Sequence, residues 1–246
     1  MPNERIVPYM IDRPNGFCPG CGHGVVIRLI AEVLEELEQD KNIIFPIGVG
    51  CSSLLGGFLE TDRWHCPHGR AAAVATAMKR VNPGNVIISY QGDGDAYSIG
   101  IGESTSAAYR NEKFTVIVIN NTNYGMTGGQ MSNTTMPGQI TSTSPLGRDC
   151  QLTGFPIKFP ELVASNFNAA YVARGSVSSP KRINTLKGYI KKAIQAQLNG
   201  EGYSLVEVLS PCPSNWGTNA YDSMQRIENE LIPYFELGEF VKRKGE

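Results

Sequence analysis

The sequence predicts an α/β protein with a doubly wound, mostly parallel sheet. Runs of consecutive apolar, largely β-branched residues recur along the chain, as strands do when both of their faces are buried. Between these runs the apolar residues follow helical spacing, so strands and helices alternate. In such sheets ligands bind beyond the carboxyl ends of the strands, and the residues that follow each strand are therefore the first candidates for a site.

The first half of the chain alternates helices and buried strands. Apolar residues at helical spacing predict a helix over 25–37, and the run NIIFPIGV predicts a strand over 42–49. The alanine-rich segment 70–80 favours a helix, and VIISY predicts a strand over 86–90. A helix over 98–110 and the unbroken apolar strand TVIVIN over 115–120 follow.

The second half opens with a long segment, 122–159, which is rich in Thr, Ser, Gly and Pro and has no periodicity. A loop of this length in a compact domain is usually functional. The elements predicted after it are helices over 161–167, 180–198 and 220–234 and strands over 170–173 and 204–209. Since no repeat, low-complexity tract or linker divides the chain, we expect a single domain over residues 1–246.

Composition argues against two classes of partner. The chain has 246 residues and a net charge of −1, so no electrostatic feature favours nucleic acid or an anionic membrane. Segment 1–13 lacks the basic and apolar regions of a signal peptide, and no run of about 18 apolar residues is present. We therefore expect a cytoplasmic protein that binds neither nucleic acid nor membrane.

Two motifs at strand ends predict a site for Mg²⁺ and a diphosphate. The motif GDGD (92–95) follows one buried strand, and NNTNYG (120–125) ends the next. Asp and Asn oxygens at neighbouring strand ends can converge on one hard cation, and the glycines let backbone N–H groups approach a phosphate. Either motif alone is more typical of a tight turn, whereas the pair at this spacing favours the ion.

This pairing resembles the diphosphate-binding motif of thiamine diphosphate enzymes. The resemblance implies Asp93 and Asn121 as side-chain ligands of Mg²⁺ and the carbonyl oxygen of Asn123 as a third ligand. Asp95 is either a further cofactor contact or the cap of the following helix.

Four of the six cysteines suggest a metal centre. Cys18 and Cys21 form a CxxC motif in a glycine-rich loop, and Cys51 and Cys212 each follow a predicted strand. Such a set can hold zinc or a [4Fe–4S] cluster, or its members can be unrelated buried thiols. Zinc sites more often show a second CxxC or paired histidines, so the isolated third and fourth cysteines favour a cluster. The neighbouring group His65, Cys66 and His68 is spaced too tightly for a regular metal site.

Taken in order, the motifs resemble the β subunit of 2-oxoacid:ferredoxin oxidoreductases over nearly the whole chain. The resemblance is greatest to short β subunits assigned to 2-oxoglutarate or branched-chain 2-oxoacids. The motifs are FCPGCGHG (17–24), GVGCSS (48–53), HGRA (68–71), GDGD (92–95), YGMTGGQ (124–130) and SPCP (210–213).

The resemblance implies a set of functional residues. Cys18, Cys21, Cys51 and Cys212 would bind the [4Fe–4S] cluster, while Cys66 and Cys150 match no ligand position. His68 and Arg70 would lie beside the cofactor as catalytic residues, although a capping His and a solvated Arg are equally compatible with the sequence. The implied cofactor contacts are Gly50, Cys51, Ser52, Ser53, His68, Gly92, Asp93, Gly94, Asp95, Asn121, Asn123, Tyr124, Gly125, Met126 and Thr127.

One position departs from the family pattern. Some members carry a Lys associated with substrate handling in the loop after Tyr124-Gly125, where this chain has Gly128. We therefore expect the substrate to be recognised elsewhere, by Arg70 or by a partner chain.

The resemblance also implies an activity and its partners. The activity is oxidative decarboxylation of a 2-oxoacid to acyl-CoA and CO₂, or the reverse, with electrons exchanged with ferredoxin. We expect an α subunit to supply the activating Glu, γ and ferredoxin-like δ subunits to join it, and a C-terminal extension to close the iron–sulfur site. The alternatives are a non-oxidative thiamine diphosphate-dependent decarboxylase or synthase subunit with structural zinc, and an electron-transfer or scaffold subunit without thiamine.

Overall fold

Seven strands form one sheet in the computed structural model, which describes residues 7–243. The order across the sheet is β2-β1-β3-β4-β6-β5-β7, and every neighbouring pair is parallel except β5 with β7. This confirms the mostly parallel α/β sheet predicted from the sequence. The strands are Ile43–Ile47 (β1), Asp62–His65 (β2), Val86–Gly92 (β3), Thr115–Asn120 (β4), Tyr171–Ser176 (β5), Ser204–Leu209 (β6) and Gly238–Val241 (β7).

Helices cover both faces of the sheet. The α-helices in the described part of the chain are His23–Glu36 (α1), Ala71–Val81 (α2), Ile101–Tyr109 (α3), Cys150–Thr153 (α4), Phe159–Asn166 (α5), Pro180–Leu198 (α6), Pro213–Trp216 (α7), Ala220–Arg226 (α8) and Ile232–Tyr234 (α9). A 3₁₀ turn spans Cys51–Gly57, and π-helical turns span Gly94–Ile99 and Ile227–Leu231.

The core is divided between the two faces of the sheet. Alternate residues of each central strand point to opposite sides, so Ile117 packs with α1 and α6 while Val116 packs with α2, α3 and α5. Both layers are apolar, which is the physical reason that the central strands β3, β4 and β6 are mostly apolar in sequence.

The two edge strands lie outside the sequence prediction. The side chains of β2 are all exposed and those of β7 are half-buried, so neither strand carries an apolar run. Polar and charged residues are typical of edges, where they discourage pairing with another chain. Strand β5 also extends beyond the predicted 170–173, because Arg174 is buried within it as an ion pair with Glu207 at 2.6 Å.

Candidate active site

A cleft lies at the carboxyl edge of the sheet and has a volume of about 90 Å³. The segments after β1, β3 and β4 form its walls, as the parallel topology predicts. The lining residues are His23, Val49, Gly50, Cys51, Ser52, His68, Gly92, Asp93, Gly94, Asn121, Asn123, Tyr124, Gly125, Met126 and Thr127.

Asp93 is the buried carboxylate of this cleft. Its Oδ2 accepts hydrogen bonds from Ser132 Oγ at 2.6 Å and from Thr134 Oγ1. Burial raises the pKa of Asp93 to about 6, and donation by the two hydroxyls acts in the opposite direction. Both hydroxyls belong to the long segment 122–159, and no feature of the sequence marked them among its many Ser and Thr residues. With Oδ2 held in this way, Oδ1 remains for a further partner.

Two polar groups, the side-chain amide of Asn121 and the carbonyl of Asn123, converge beside Asp93 Oδ1. One atom of the Asn121 side-chain amide lies 3.0 Å from that oxygen and 2.7 Å from the carbonyl oxygen of Asn123. In one orientation the amide nitrogen of Asn121 occupies this position and donates to the oxygens of Asp93 and Asn123. In the other orientation, turned by 180°, the amide oxygen occupies it, and three oxygens then face one another. A hard cation such as Mg²⁺ satisfies the second orientation. The residues present therefore fit the magnesium ion expected from the sequence.

The loop after β4 closes tightly over the turn after β3. Tyr124 Oη donates to the carbonyl oxygen of Gly94 at 3.0 Å. A Cβ atom on Gly94 would lie 2.4 Å from the Tyr124 ring, so a larger residue at position 94 would displace the ring. The glycine of GDGD is thus required by this packing as well as by any phosphate.

Asp95 is buried, and its carboxylate accepts hydrogen bonds from several residues instead of capping a helix. Its Oδ1 accepts from His68 Nδ1 at 2.5 Å, from Gly69 N at 2.8 Å and from Val49 N at 3.3 Å. Its Oδ2 accepts from Gln91 Nε2 at 2.6 Å. The capping interpretation is therefore wrong, because the carboxylate joins the segment after β1 to the turn before α2. Asp95 does not itself line the cleft.

The structure separates His68 from Arg70. His68 lines the cleft beside the Tyr124 ring, and its Nδ1 faces Asp95, which leaves Nε2 as the available ring nitrogen. Arg70 instead pairs with Glu103 of α3 and is not part of the cleft wall. The position of Arg70 beside the cofactor therefore stays a prediction, and in this structure its guanidinium pairs with α3.

The two serines after Cys51 also differ. Ser52 lines the cleft, and its hydroxyl donates to the carbonyl oxygen of Gly48 at 3.3 Å. Ser53 lies outside the cleft wall and donates to the carbonyl oxygen of Gly50 at 2.7 Å. Ser53 therefore does not contribute its side chain to the cleft wall, because its hydroxyl is hydrogen-bonded within the 3₁₀ turn.

The four cysteines of the predicted cluster influence one another electrostatically. Burial raises the pKa of Cys51 to about 12, and Cys21, Cys212 and Cys18 add to this effect. Within residues 7–243, no three His, Cys, Asp or Glu side chains are gathered closely enough to hold a single metal ion. The donor set itself, four thiols and no histidine, fits an iron–sulfur cluster.

The CxxC loop packs against the C-terminal segment. Gly20 has a φ of +79°, and a Cβ atom there would lie 2.7 Å from Ala220 Cβ at the start of α8. Glycine therefore permits both the turn and the close approach of the two segments. This contact brings the loop of Cys18 and Cys21 to the region that follows Cys212.

His23 is a cleft residue that the sequence did not single out. Its Nδ1 is hydrogen-bonded to Tyr90 Oη at 2.7 Å, and its ring stacks on Phe17 with centroids 4.8 Å apart. Burial lowers the pKa of His23 to about 3, so the ring is neutral at physiological pH. Its position two residues after Cys21 is the sequence signal that could have marked it.

Comparison with known proteins agrees with this geometry. Residues 48–208 match the family described as thiamine pyrophosphate enzyme, C-terminal TPP binding domain. The chain is 39% identical over 233 residues to 2-oxoglutarate synthase subunit KorB of Methanothermobacter thermautotrophicus, covering 94% of this chain and 76% of the relative. The chain belongs to the β-subunit family of 2-oxoacid:ferredoxin oxidoreductases.

Other members of this β-subunit family extend the comparison. Ketoisovalerate oxidoreductase subunit VorA of the same organism is 40% identical over 230 residues, which are 94% of this chain but 48% of that relative. The chain thus spans about half the length of this relative. A solved 2-oxoglutarate:ferredoxin oxidoreductase from Magnetococcus marinus, with 2-oxoglutarate, coenzyme A and succinyl-CoA bound, matches with a TM-score of 0.76 at 26% identity. That match covers 99% of this chain and 87% of the solved one.

The length and apolar character of the helices can be compared with the expectation that the protein does not bind a membrane. Among those of residues 7–243, none combines the length and the apolar character needed to cross a membrane.

Proposed function

We propose that this chain is the subunit of a 2-oxoacid:ferredoxin oxidoreductase that holds both thiamine diphosphate and a [4Fe–4S] cluster. The reaction is oxidative decarboxylation of a 2-oxoacid to acyl-CoA and CO₂ with electrons passed to ferredoxin, or its reverse. The observation that carries this proposal is the convergence of the Asp93 carboxylate, the Asn121 amide and the Asn123 carbonyl, which share one cleft wall with Cys51. In this proposal the ion and the diphosphate therefore bind next to a thiol.

The chain's own residues have defined parts in this proposal. Asp93 and Asn121 hold Mg²⁺ with the Asn123 carbonyl, and the ion binds the diphosphate. His68 presents Nε2 to the cleft, with Asp95 fixing the opposite ring nitrogen. When bound, thiamine diphosphate supplies the nucleophilic carbon for decarboxylation and the cluster accepts single electrons.

Four cysteines hold the cluster in this proposal. Cys18, Cys21, Cys51 and Cys212 are its ligands, and the C-terminal segment from α7 onward closes its site. The contact between Gly20 and Ala220 supports that arrangement, because it joins the CxxC loop to this segment.

The activating Glu and the remaining sites are assigned to partner subunits. Within residues 7–243 no glutamate lines the cleft, which supports an α subunit as its source. Since Arg70 is paired with Glu103, we also assign recognition of the substrate carboxylate to a partner. The γ and ferredoxin-like δ subunits, ferredoxin and coenzyme A complete the proposed assembly, and the 2-oxoacid is not specified by the cleft.

The test is the content of iron, zinc and acid-labile sulfide per chain in protein purified without oxygen. We expect about four irons with matching sulfide. One zinc and no sulfide would overturn the electron-transfer proposal and favour the non-oxidative thiamine enzyme. As an independent arm, binding of thiamine diphosphate with Mg²⁺ to the complex of subunits separates a catalytic subunit from a scaffold.

A further inference from the structure

Asn215 bridges the cleft and the cysteines. Asn215 lies in the short helix α7, three residues after Cys212. This helix follows shortly after the end of β6. Asn215 Nδ2 donates to the carbonyl oxygen of Gly125 at 2.9 Å and to Cys212 Sγ at 3.3 Å. Gly125 belongs to the loop that closes over the cleft, so one amide connects both parts of the site.

The orientation of this amide follows from its partners. A backbone carbonyl oxygen only accepts, so the NH₂ group of Asn215 must face Gly125. An NH₂ group carries two hydrogens, which leaves the second for the sulfur. Gly129 packs against the other side of the amide, since a Cβ atom there would lie 3.0 Å from Asn215 Oδ1.

The same loop also approaches a second cysteine. A Cβ atom on Gly125 would lie 3.2 Å from Cys51 Sγ. The loop therefore contacts Cys51 directly and is tied to Cys212 through Asn215. A change in charge at Cys212 Sγ therefore acts directly on the Asn215 amide, which joins this sulfur to the cleft loop.

We propose that Asn215 raises the reduction potential of the [4Fe–4S] cluster by donating an N–H···S hydrogen bond to Cys212. This inference rests on the proposed function, because it requires the cluster. Reduction adds one negative charge, and a hydrogen bond to a charged acceptor is stronger than one to a neutral acceptor. The donor thus stabilises the reduced cluster more than the oxidised one, and hydrogen bonds to the sulfurs are among the factors that set such potentials.

A purely structural role for Asn215 has a different signature. If the amide only held the loop, its loss would either leave the potential unchanged or admit water to the cluster. Water stabilises the more highly charged, reduced form, and the potential would then rise. Loss of the N–H···S bond lowers the potential, so the sign of the shift separates the two roles.

The experiment is a redox titration followed by electron paramagnetic resonance on the full chain purified without oxygen. We compare the wild type with Asn215→Leu, which keeps the approximate side-chain volume, and with the sterically less demanding Asn215→Ala. Asn219→Leu is the matched control, since Asn219 loses side-chain hydrogen bonds in the same segment but its amide bonds to Asp222 rather than to sulfur. Iron and sulfide are counted in every sample.

The expected result is a more negative midpoint potential in both Asn215 variants and an unchanged one in Asn219→Leu. An unchanged or more positive potential in either Asn215 variant that retains full cluster content overturns the inference and leaves the proposed function intact. An equal negative shift in the control also overturns it. If the wild type itself holds no cluster, the proposed function fails and the inference fails with it.

Discussion

At the scale of single residues, the carboxylate of Asp93 divides its two oxygens between different tasks. Ser132 and Thr134 hold Oδ2, and Oδ1 meets the amide of Asn121. This division pre-orients one oxygen for a cation, since the hydroxyl donors fix the carboxylate plane before an ion arrives. A charge buried in this way is stabilised by its hydroxyl donors, whereas burial alone raises the pKa of Asp93.

We expect Asp93→Asn to weaken binding of thiamine diphosphate with Mg²⁺. Substitution of residues that only support metal ligands lowers affinity about 10–100-fold, and the loss of a direct ligand should be at least as large. The substitution removes a charged ligand while keeping the shape of the side chain. Calorimetric titration of the subunit complex measures the loss, and circular dichroism checks the fold.

The matched control for this substitution is Asn123→Ala. Because Asn123 contributes its backbone carbonyl to the proposed site, this variant should retain most of the affinity. Equal losses in both variants would contradict the assignment of ligands.

At the scale of elements, strands β5 and β6 are joined by an ion pair inside the sheet. Arg174, with 0% of its side chain exposed, donates to Glu207 at 2.6 Å and to Glu161 of α5 at 2.7 Å. Glu161 and Glu207 raise the pKa of Arg174 further, against the opposing effect of burial. The pair interrupts an otherwise apolar strand, which is why the strand prediction ended at 173.

Removing only Arg174 should be strongly destabilising. Arg174→Met leaves Glu207 buried without its cation, and breaking a buried pair in this way costs about 3–5 kcal/mol. The double variant Arg174→Met/Glu207→Leu should recover most of that loss, because no fully buried charge remains unpaired and the remaining Glu161 is 31% exposed to solvent. Urea unfolding of both variants measures the difference, and a double variant as unstable as the single one would refute this account.

Helices α1 and α6 are linked by surface ion pairs that give a pH-dependent contribution. Glu36 accepts from Lys187 and Lys191 at 2.8 Å each, and these hydrogen bonds lower the pKa of Glu36 in the folded state. The folded state therefore binds this proton less readily than the unfolded state does. The contribution is present above the ordinary glutamate pKa and is lost as the pH falls through the lowered one.

We expect Glu36→Gln to reduce the free energy of unfolding at pH 7 by no more than about 0.5 kcal/mol, since the side chain is 40% exposed and solvent screens the pairs. The difference from the wild type should become smaller as the pH falls from 7 to 3, and it should also shrink in high salt. Urea unfolding at both pH values provides the measurement. A difference that grows as the pH falls would contradict a lowered pKa of Glu36 in the folded state.

At the scale of the whole molecule, the long segment that contributes to the cleft wall also exposes apolar side chains. Segment 122–159 supplies the loop over the cleft and the hydroxyls that hold Asp93, and Arg148 orders it by donating to the carbonyl oxygens of Ser132 and Thr135. The same segment exposes Leu146, whose side chain is 99% accessible. Exposed apolar side chains on an ordered segment are typical of a surface that contacts a partner.

We expect Leu146→Lys to weaken assembly with the α subunit while changing the stability of the chain by less than about 0.5 kcal/mol. Co-purification of the two subunits and thermal unfolding of the chain measure these effects. Val81→Lys is the control, because Val81 is exposed at the carboxyl end of α2. This end of the helix lies where β3 begins, opposite the carboxyl edge that holds the cleft. Equal losses of assembly in both variants would refute a contact that is specific to the cleft side.

Much of the architecture follows from the sequence, because it depends on neighbours along the chain. The alternation of apolar runs with helical spacing determines the parallel sheet, and chain order brings the segments after β1, β3 and β4 to one edge. The motifs at that edge indicated the family and the cleft for the same reason. The polar edge strands β2 and β7 carry no such periodic signal.

The tertiary structure alone decided which side chains meet across that edge. Ser132 and Thr134 donate hydrogen bonds to Asp93, which is about 40 residues away in the sequence. Arg70 forms an ion pair with Glu103. Asn215 donates to the carbonyl oxygen of Gly125, 90 positions earlier in the chain. These partners are chosen by the packing of separate elements, where distance in space is unrelated to distance in sequence. Local patterns determine where strands end, whereas long-range packing determines which donor faces which acceptor.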